Sequence, residues 1–171
     1  MGHVQEASGH GSSVDALVRD HGVAVFRYIF GMVGDRTVAE DLTQDVFLRA
    51  HERLAQLRDT ERAAGWLFAI AANVVRTHGR RERRWQWLPW ESGPSGPPAR
   101  GPASAEEVGA EVWEVLGRIA EDDRHVLLLI GYLGLPASEA AEVLGITVAA
   151  TSKRWQRACE RFRTSMEAHG P

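Results

Sequence analysis

The stretch Gly65–Arg84, GWLFAIAANVVRTHGRRERR, constrains this chain more than any other. Its first half places Trp66, Leu67, Ile70, Ala71, Val74 and Val75 on one side of a helix. Its second half carries Arg76, Arg80, Arg81, Arg83 and Arg84 against a single acid, Glu82. Such a helix has to bury its front in a core while an arginine-rich tail stands in solvent. Trp85, Trp87 and Trp90 follow at once. Arginine beside exposed aromatics suits a phosphate backbone and unstacked bases. A solvated charge run closing a core helix has the same composition.

Length and charge narrow the choice. A chain of 171 residues holds one ordinary domain or two small ones, and 44% apolar with 25% charged residues is a globular composition. No apolar run reaches the roughly 20 residues of a membrane span. The start, MGHVQEASGHGSS, lacks the basic and apolar segments of a signal peptide and reads as a disordered leader over 1–13. Cys159 is the only cysteine, which excludes an internal disulfide and fits a reducing cytoplasm. The net charge of −3 conceals two basic patches, Arg76–Arg84 and Lys153–Arg163. Between them Glu106, Glu107, Glu111, Glu114, Glu121, Asp122 and Asp123 are relieved only by Arg118. This pattern predicts DNA contact at two places, with other surfaces reserved for protein partners.

Along the chain, Val14–Met32 carries Val14, Leu17, Val18, Val25, Phe26 and Ile29 at helical spacing, with Gly22 weakening its middle. Thr37–Glu40 reads as a capping box opening a helix to about Leu54, with Val38, Leu42, Val46 and Ala50 inward. That leaves Asp41, Gln44, Asp45, Arg49 and Glu52 outside. Gln56–Ala64 is a polar loop before the basic helix, so three helices with short connections form a bundle. Glu91–Ser104 is rich in Pro, Gly and Ser and reads as a linker. A second capping box, Ser104–Glu107, starts a helix to Ile119, and Asp122–Leu133 is a short apolar helix. No strand-like alternation appears. The fold class expected is all-α, two small helical domains joined by a tether.

The last segment holds the clearest motif. Ala137–Leu144 is a short helix, Gly145-Ile146-Thr147 a tight turn with Thr147 as N-cap, and Val148–Met166 a long helix. This is a helix-turn-helix layout, whose second helix enters a DNA major groove. Thr151, Trp155, Ala158 and Phe162 form its inward seam. Ser152, Lys153, Gln156 and Arg157 share the outward face near its N-terminal end, and Arg154 and Arg161 suit phosphates. A plain helical hairpin with a basic face is the alternative.

Val33–Ala50, Trp66–Asn73 and Gly134–Arg163, in this order and separated by a linker, resemble bacterial extracytoplasmic-function (ECF) sigma factors. The resemblance spans nearly everything from Val14 to Arg163. It implies a non-enzymatic specificity subunit of RNA polymerase, with a region 2 domain over 14–88, a linker over 89–104 and a region 4 domain over 105–167. Asp41, Gln44, Asp45 and Arg49 would dock on the β′ coiled coil. Asn73, Arg76, Arg80 and Arg81 would serve the minus-10 element, Asn73 at the family's conspicuous asparagine position, where an amide can donate and accept to a base edge. Ser152, Lys153, Arg154, Gln156 and Arg157 would serve the minus-35 element, while region 4 docks on the β flap. An anti-sigma factor is the further partner implied. Ser152 and Lys153 exchange the family's usual order of a basic residue and a serine. Thr151 and Trp155 replace usual aliphatic core residues, and Pro136 takes the place of a usual serine cap.

Two other classes compete. A stand-alone helix-turn-helix regulator would bind duplex DNA without polymerase, yet nothing reads as a dimerisation helix. An enzyme could use Cys159, beside Glu160 on an arginine-rich helix, as a thiolate. No histidine is near it in sequence, the histidines lack metal-ligand spacing, and no cofactor is expected. The tryptophan run could pack the two domains together, stack on displaced single-stranded DNA, or grip an inhibitor.

Overall fold

The computed structural model describes residues 13–57, 59–85 and 109–168. Among these, every regular element is a helix. Helix α1, Val14–Val33, is capped by Ser13, whose hydroxyl accepts from the Ala16 amide at 3.2 Å. Helix α2 runs Arg36–Glu52, and the chain then makes two 3-10 turns, Leu54–Gln56 and Thr60–Arg62. Helix α3, Ala63–Trp85, is the apolar-then-basic helix, and Gly65 lies within its first turn.

The start of α2 corrects the capping box expected at Thr37. Asp35, in an extended conformation, is the N-cap, and its carboxylate accepts from the Val38 amide at 3.0 Å. Thr37 is an exposed residue of the first turn, and Glu40 pairs with Arg36 at 2.8 Å instead of reaching back. Both Asp35 and Thr37 are cap formers, and only the turn after Gly34 selects between them. Asp35→Ala should therefore lower unfolding free energy by about 1 kcal/mol in a denaturant melt, and Thr37→Ala by far less.

The second half holds α4, Ala110–Arg118, and α5, Glu121–Val126, which continues as a π-helix over Leu127–Tyr132. Helix α6, Ala137–Leu144, and helix α7, Val148–Glu167, form the helix-turn-helix. Helix α4 starts after Gly109; the capping box read at Ser104–Glu107, the linker and Trp87 and Trp90 lie outside the described residues. The apolar run read as one ordinary helix changes register where Leu127, Leu128 and Leu129 are all buried. A π-turn widens the helix there, a local change that periodicity does not reveal.

The two halves close on each other. One buried cluster contains Leu17, Val25 and Leu67 from the first and Val126, Leu128, Val143 and Ala158 from the second. Phe30 meets Trp113 edge-on at 5.5 Å between ring centres, and the Arg124 guanidinium donates to the Met32 carbonyl at 2.6 Å. A Cβ on Gly31 would stand 2.7 Å from a Leu128 methyl, so only glycine admits this approach unshifted. Closure also explains the burial of α1. Tyr28, Phe30 and Met32, outside the expected stripe, are buried because α4 and α5 cover a second face of the helix. Val18, expected inside, is 45% exposed.

Candidate nucleic-acid interface

Helix α2 turns Ala39, Val46, Phe47 and Ala50 into the core, with Leu42 half-buried. Its opposite side exposes Asp41 and Gln44. Asp45 and Arg49 are half-buried and paired with each other, the guanidinium donating at 3.1 Å. Leu48 stands among them at 62% exposure. The sequence reading omitted Leu48; its signal was an apolar residue one turn after Gln44, on the polar side.

Helix α3 buries Leu67, Phe68, Ile70, Ala71, Ala72, Val74 and Val75. Between Ala72 and Val74, Asn73 is exposed, and its carbonyl accepts from the Thr77 hydroxyl at 2.8 Å. Arg80 and Arg81 are exposed on the following turns, Arg80 donating to the Thr77 hydroxyl at 3.2 Å. Arg76 is set apart. It is half-buried and donates to the Leu144 carbonyl of α6 at 3.4 Å. Asn73, Arg80 and Arg81 thus share open surface, whereas Arg76 lies in the seam between the halves.

The helix-turn-helix has the expected bounds and cap. Gly145 closes α6 in the left-handed region at φ 67°, and the Thr147 hydroxyl accepts from the Ala150 amide at 3.1 Å. Thr151 is buried without a loose hydroxyl, because Oγ1 donates to the Thr147 carbonyl at 3.1 Å. Along α7, Lys153, Gln156 and Arg157 are exposed and Ser152 is half-buried. Arg154 is half-buried and pairs with Asp122 at 3.3 Å, while Arg161 pairs with the buried carboxylate of Asp123.

These pairs engage part of the acidic block within the molecule. Glu121 holds Arg83 at 2.9 Å, and Asp122 and Asp123 hold arginines of α7. Part of the acid thus neutralises the two basic patches from inside the molecule. Arg62 adds an ion pair to Glu142 of α6, so the loop before α3 is also tied to the second half. Closure does not hide the outward face of α7; what it covers is the side of α3 that carries Arg76. Burial pushes the Cys159 thiol up, against the lowering by Arg163, which is the opposite of an activated nucleophile. Among the described residues no group of His, Cys, Asp and Glu is placed to hold a metal ion, and no helix is long and apolar enough to cross a membrane.

A helical bundle with an arginine-bearing helix, followed by a capped helix-turn-helix with an exposed polar face, defines a two-part DNA-binding protein. The sigma-70 region 2 model matches residues 17–85, and the sigma-70 region 4 model matches residues 109–162. The chain is 31% identical over 166 residues to the ECF sigma factor SigC of Mycobacterium tuberculosis, covering 94% of this chain and 87% of that one. It is 27% identical to SigL of the same organism over 170 residues, covering 96% and 94%. It is 29% identical to the sigma factor CnrH of Cupriavidus metallidurans over 175 residues, covering 96% and 92%. The solved structure of CnrH in complex with the cytosolic domain of CnrY superposes with a TM-score of 0.64, at 25% identity, over 92% of this chain and 89% of that one. The fold is also that of RpoE from Bartonella quintana, at a TM-score of 0.65 and 22% identity over 87% and 95%. The chain belongs to the ECF RNA polymerase sigma factors. It is an alternative sigma factor acting with RNA polymerase, and a stand-alone regulator is not favoured.

Proposed function

We propose that this sigma factor brings core polymerase to promoters by three separate faces: α2 for polymerase, α3 for the minus-10 element and α7 for the minus-35 element. The observation that carries the reading is that each of these helices buries one side and keeps a distinct polar side exposed. On α2, Asp41, Gln44, Asp45 and Arg49 would meet the β′ coiled coil, with Leu48 as an apolar contact among them. An exposed leucine ringed by polar groups is the composition of a small docking patch. On α3, Asn73 would contact a base edge, since an amide both donates and accepts, while Arg80 and Arg81 hold phosphates. A base drawn out of the stack costs a few kcal/mol, which contacts to its edge have to return.

On α7, Lys153, Gln156 and Arg157 would read the major groove with Ser152 at their edge. Arg76 and Arg154 belong to these sites only after they leave Leu144 and Asp122. The functional units proposed are a leader over 1–13, region 2 over 14–88, a linker over 89–104 and region 4 over 105–167, with region 4 on the β flap. The two halves then have to part before both promoter elements are read at once. The protein works in the cytoplasm, on the nucleoid when in holoenzyme, without catalytic activity of its own. A protein inhibitor, an anti-sigma factor, is a further partner, supported by the capture of the similar CnrH with CnrY.

Run-off transcription from a genomic fragment library tests the reading, with core polymerase in the presence and absence of this chain. Discrete new starts are expected. Replacing Asp41 and Gln44 together by alanine should weaken polymerase binding at least about tenfold, the sum of two contacts near 1 kcal/mol each. Duplex binding that persists without polymerase, with no new starts, would overturn it.

A further inference from the structure

Where α5 meets α1, the Tyr28 hydroxyl lies 2.6 Å from Nδ1 of His125. Both side chains are fully buried, although the residues are 97 apart in sequence and belong to different halves. Phe68 of α3 packs edge-on against Tyr28 at 5.7 Å, closing one side. The other ring nitrogen of His125, Nε2, is buried without a partner among the described residues. With the Tyr28 hydroxyl donating to Nδ1, the neutral ring carries its one proton on that unpartnered nitrogen.

Three guanidiniums oppose a charge on this ring. Arg76 comes from α3, Arg124 from α5 itself and Arg154 from α7. The nearby carboxylates of α5 are each paired with an arginine: Glu121, which also acts on Tyr28, with Arg83, Asp122 with Arg154 and the buried Asp123 with Arg161. A proton arriving from solvent would turn a neutral buried ring into a cation beside three guanidiniums. The hydrogen bond to Tyr28 survives with its direction reversed, but the carboxylates of α5 are already paired and, among the described residues, Nε2–H still has no acceptor. The imidazolium can reach water only if α5 leaves α1.

We propose that His125 is a charge-sensitive latch between the two halves: its neutral ring seals α5 against α1, and its protonation parts them. The sign is set by burial first and then by the three arginines, which together pull His125 down from about 6.5 to about 3 in the closed form. The closed form therefore binds fewer protons than the open one. Its advantage is complete above the open-state value near 6.5 and is lost progressively as pH falls below it. The latch depends only on this geometry. Its consequence, release of Arg76 and of the covered side of α3 for DNA, rests on the promoter reading above.

Single-molecule energy transfer tests it without polymerase, using the full chain with dyes on Glu52→Cys and Glu167→Cys in a Cys159→Ser background. Between pH 7.5 and 5.0 the open-to-closed ratio should rise about thirtyfold, the linkage expected for one group titrating near 6.5 only when open. His125→Gln should change less than about threefold over the same range. That variant keeps His3, His10, His21, His51, His78 and His169, so an unchanged slope in it assigns the opening to them and overturns the latch. A flat native profile does the same. Should His125→Gln stand open throughout, the His125 ring resonance of the native protein is followed by NMR. An imidazole neutral down to below pH 5 while the dyes report closure supports the latch, and ordinary titration near 6.5 in the closed protein overturns it.

Discussion

Replacing Asn73 and Arg80 together by alanine should lower open-complex yield about a hundredfold while leaving polymerase binding and folding intact. A base-edge contact contributes about 1–3 kcal/mol and a charge-assisted hydrogen bond about 1.5–3 kcal/mol. A joint loss near 3 kcal/mol corresponds to roughly two decades. Both side chains are exposed, and Arg80 bonds only its own helix, through Thr77, so their loss opens no cavity. Helix content by circular dichroism should be unchanged, and permanganate footprinting of the melted strand should report the defect. A variant that melts promoters normally would show that α3 does not carry minus-10 recognition through these two residues.

Leu67→Ala should have the largest effect on stability. Leu67 has no exposed surface, lies one turn before Ala71 on the buried side of α3, and belongs to the cluster that both halves share. Truncating such a leucine costs about 2–5 kcal/mol, from the lost methyl groups and the cavity left behind. For a chain of this size that is a fall of about 5–15 °C in melting temperature, readable by calorimetry. Val23→Ala provides the contrast. Val23 is 64% exposed on α1, and its truncation should move the melting temperature by less than about 2 °C.

Much of the architecture was legible from local chemistry. The α6 bounds, the turn at Gly145 and the Thr147 cap depend on interactions within a few residues, and they stand where the spacing put them. The inward seam of α7 holds for the same reason, with Thr151 and Ala158 buried and Trp155 and Phe162 half-buried. The errors share a different origin. Thr37 and Asp35 are chemically equivalent caps, and the geometry after Gly34 chose Asp35. The π-turn at Leu127–Tyr132 follows from packing three consecutive leucines, which no helical period encodes.

The candidate site divides along the same line. Exposure of Asp41, Gln44, Asn73, Arg80, Arg81, Lys153, Gln156 and Arg157 follows from amphipathic periodicity, because a helix with one buried side must offer the other to solvent. The engagement of Arg76 by Leu144, Arg154 by Asp122, Arg83 by Glu121 and Arg161 by Asp123 does not. These partners lie 32 to 68 residues apart and meet only because the halves and their helices pack as they do. His125 is the plainest case. In sequence it is one histidine between an arginine and a run of leucines. Only the tertiary structure gives it Tyr28 on one nitrogen, no partner among the described residues on the other, and three arginines opposing its charge. Amphipathic patterning, a property of neighbours along the chain, determined the helices and their outward faces. Which charges those faces keep free was decided by long-range closure, since burial and pairing exist only once distant segments meet.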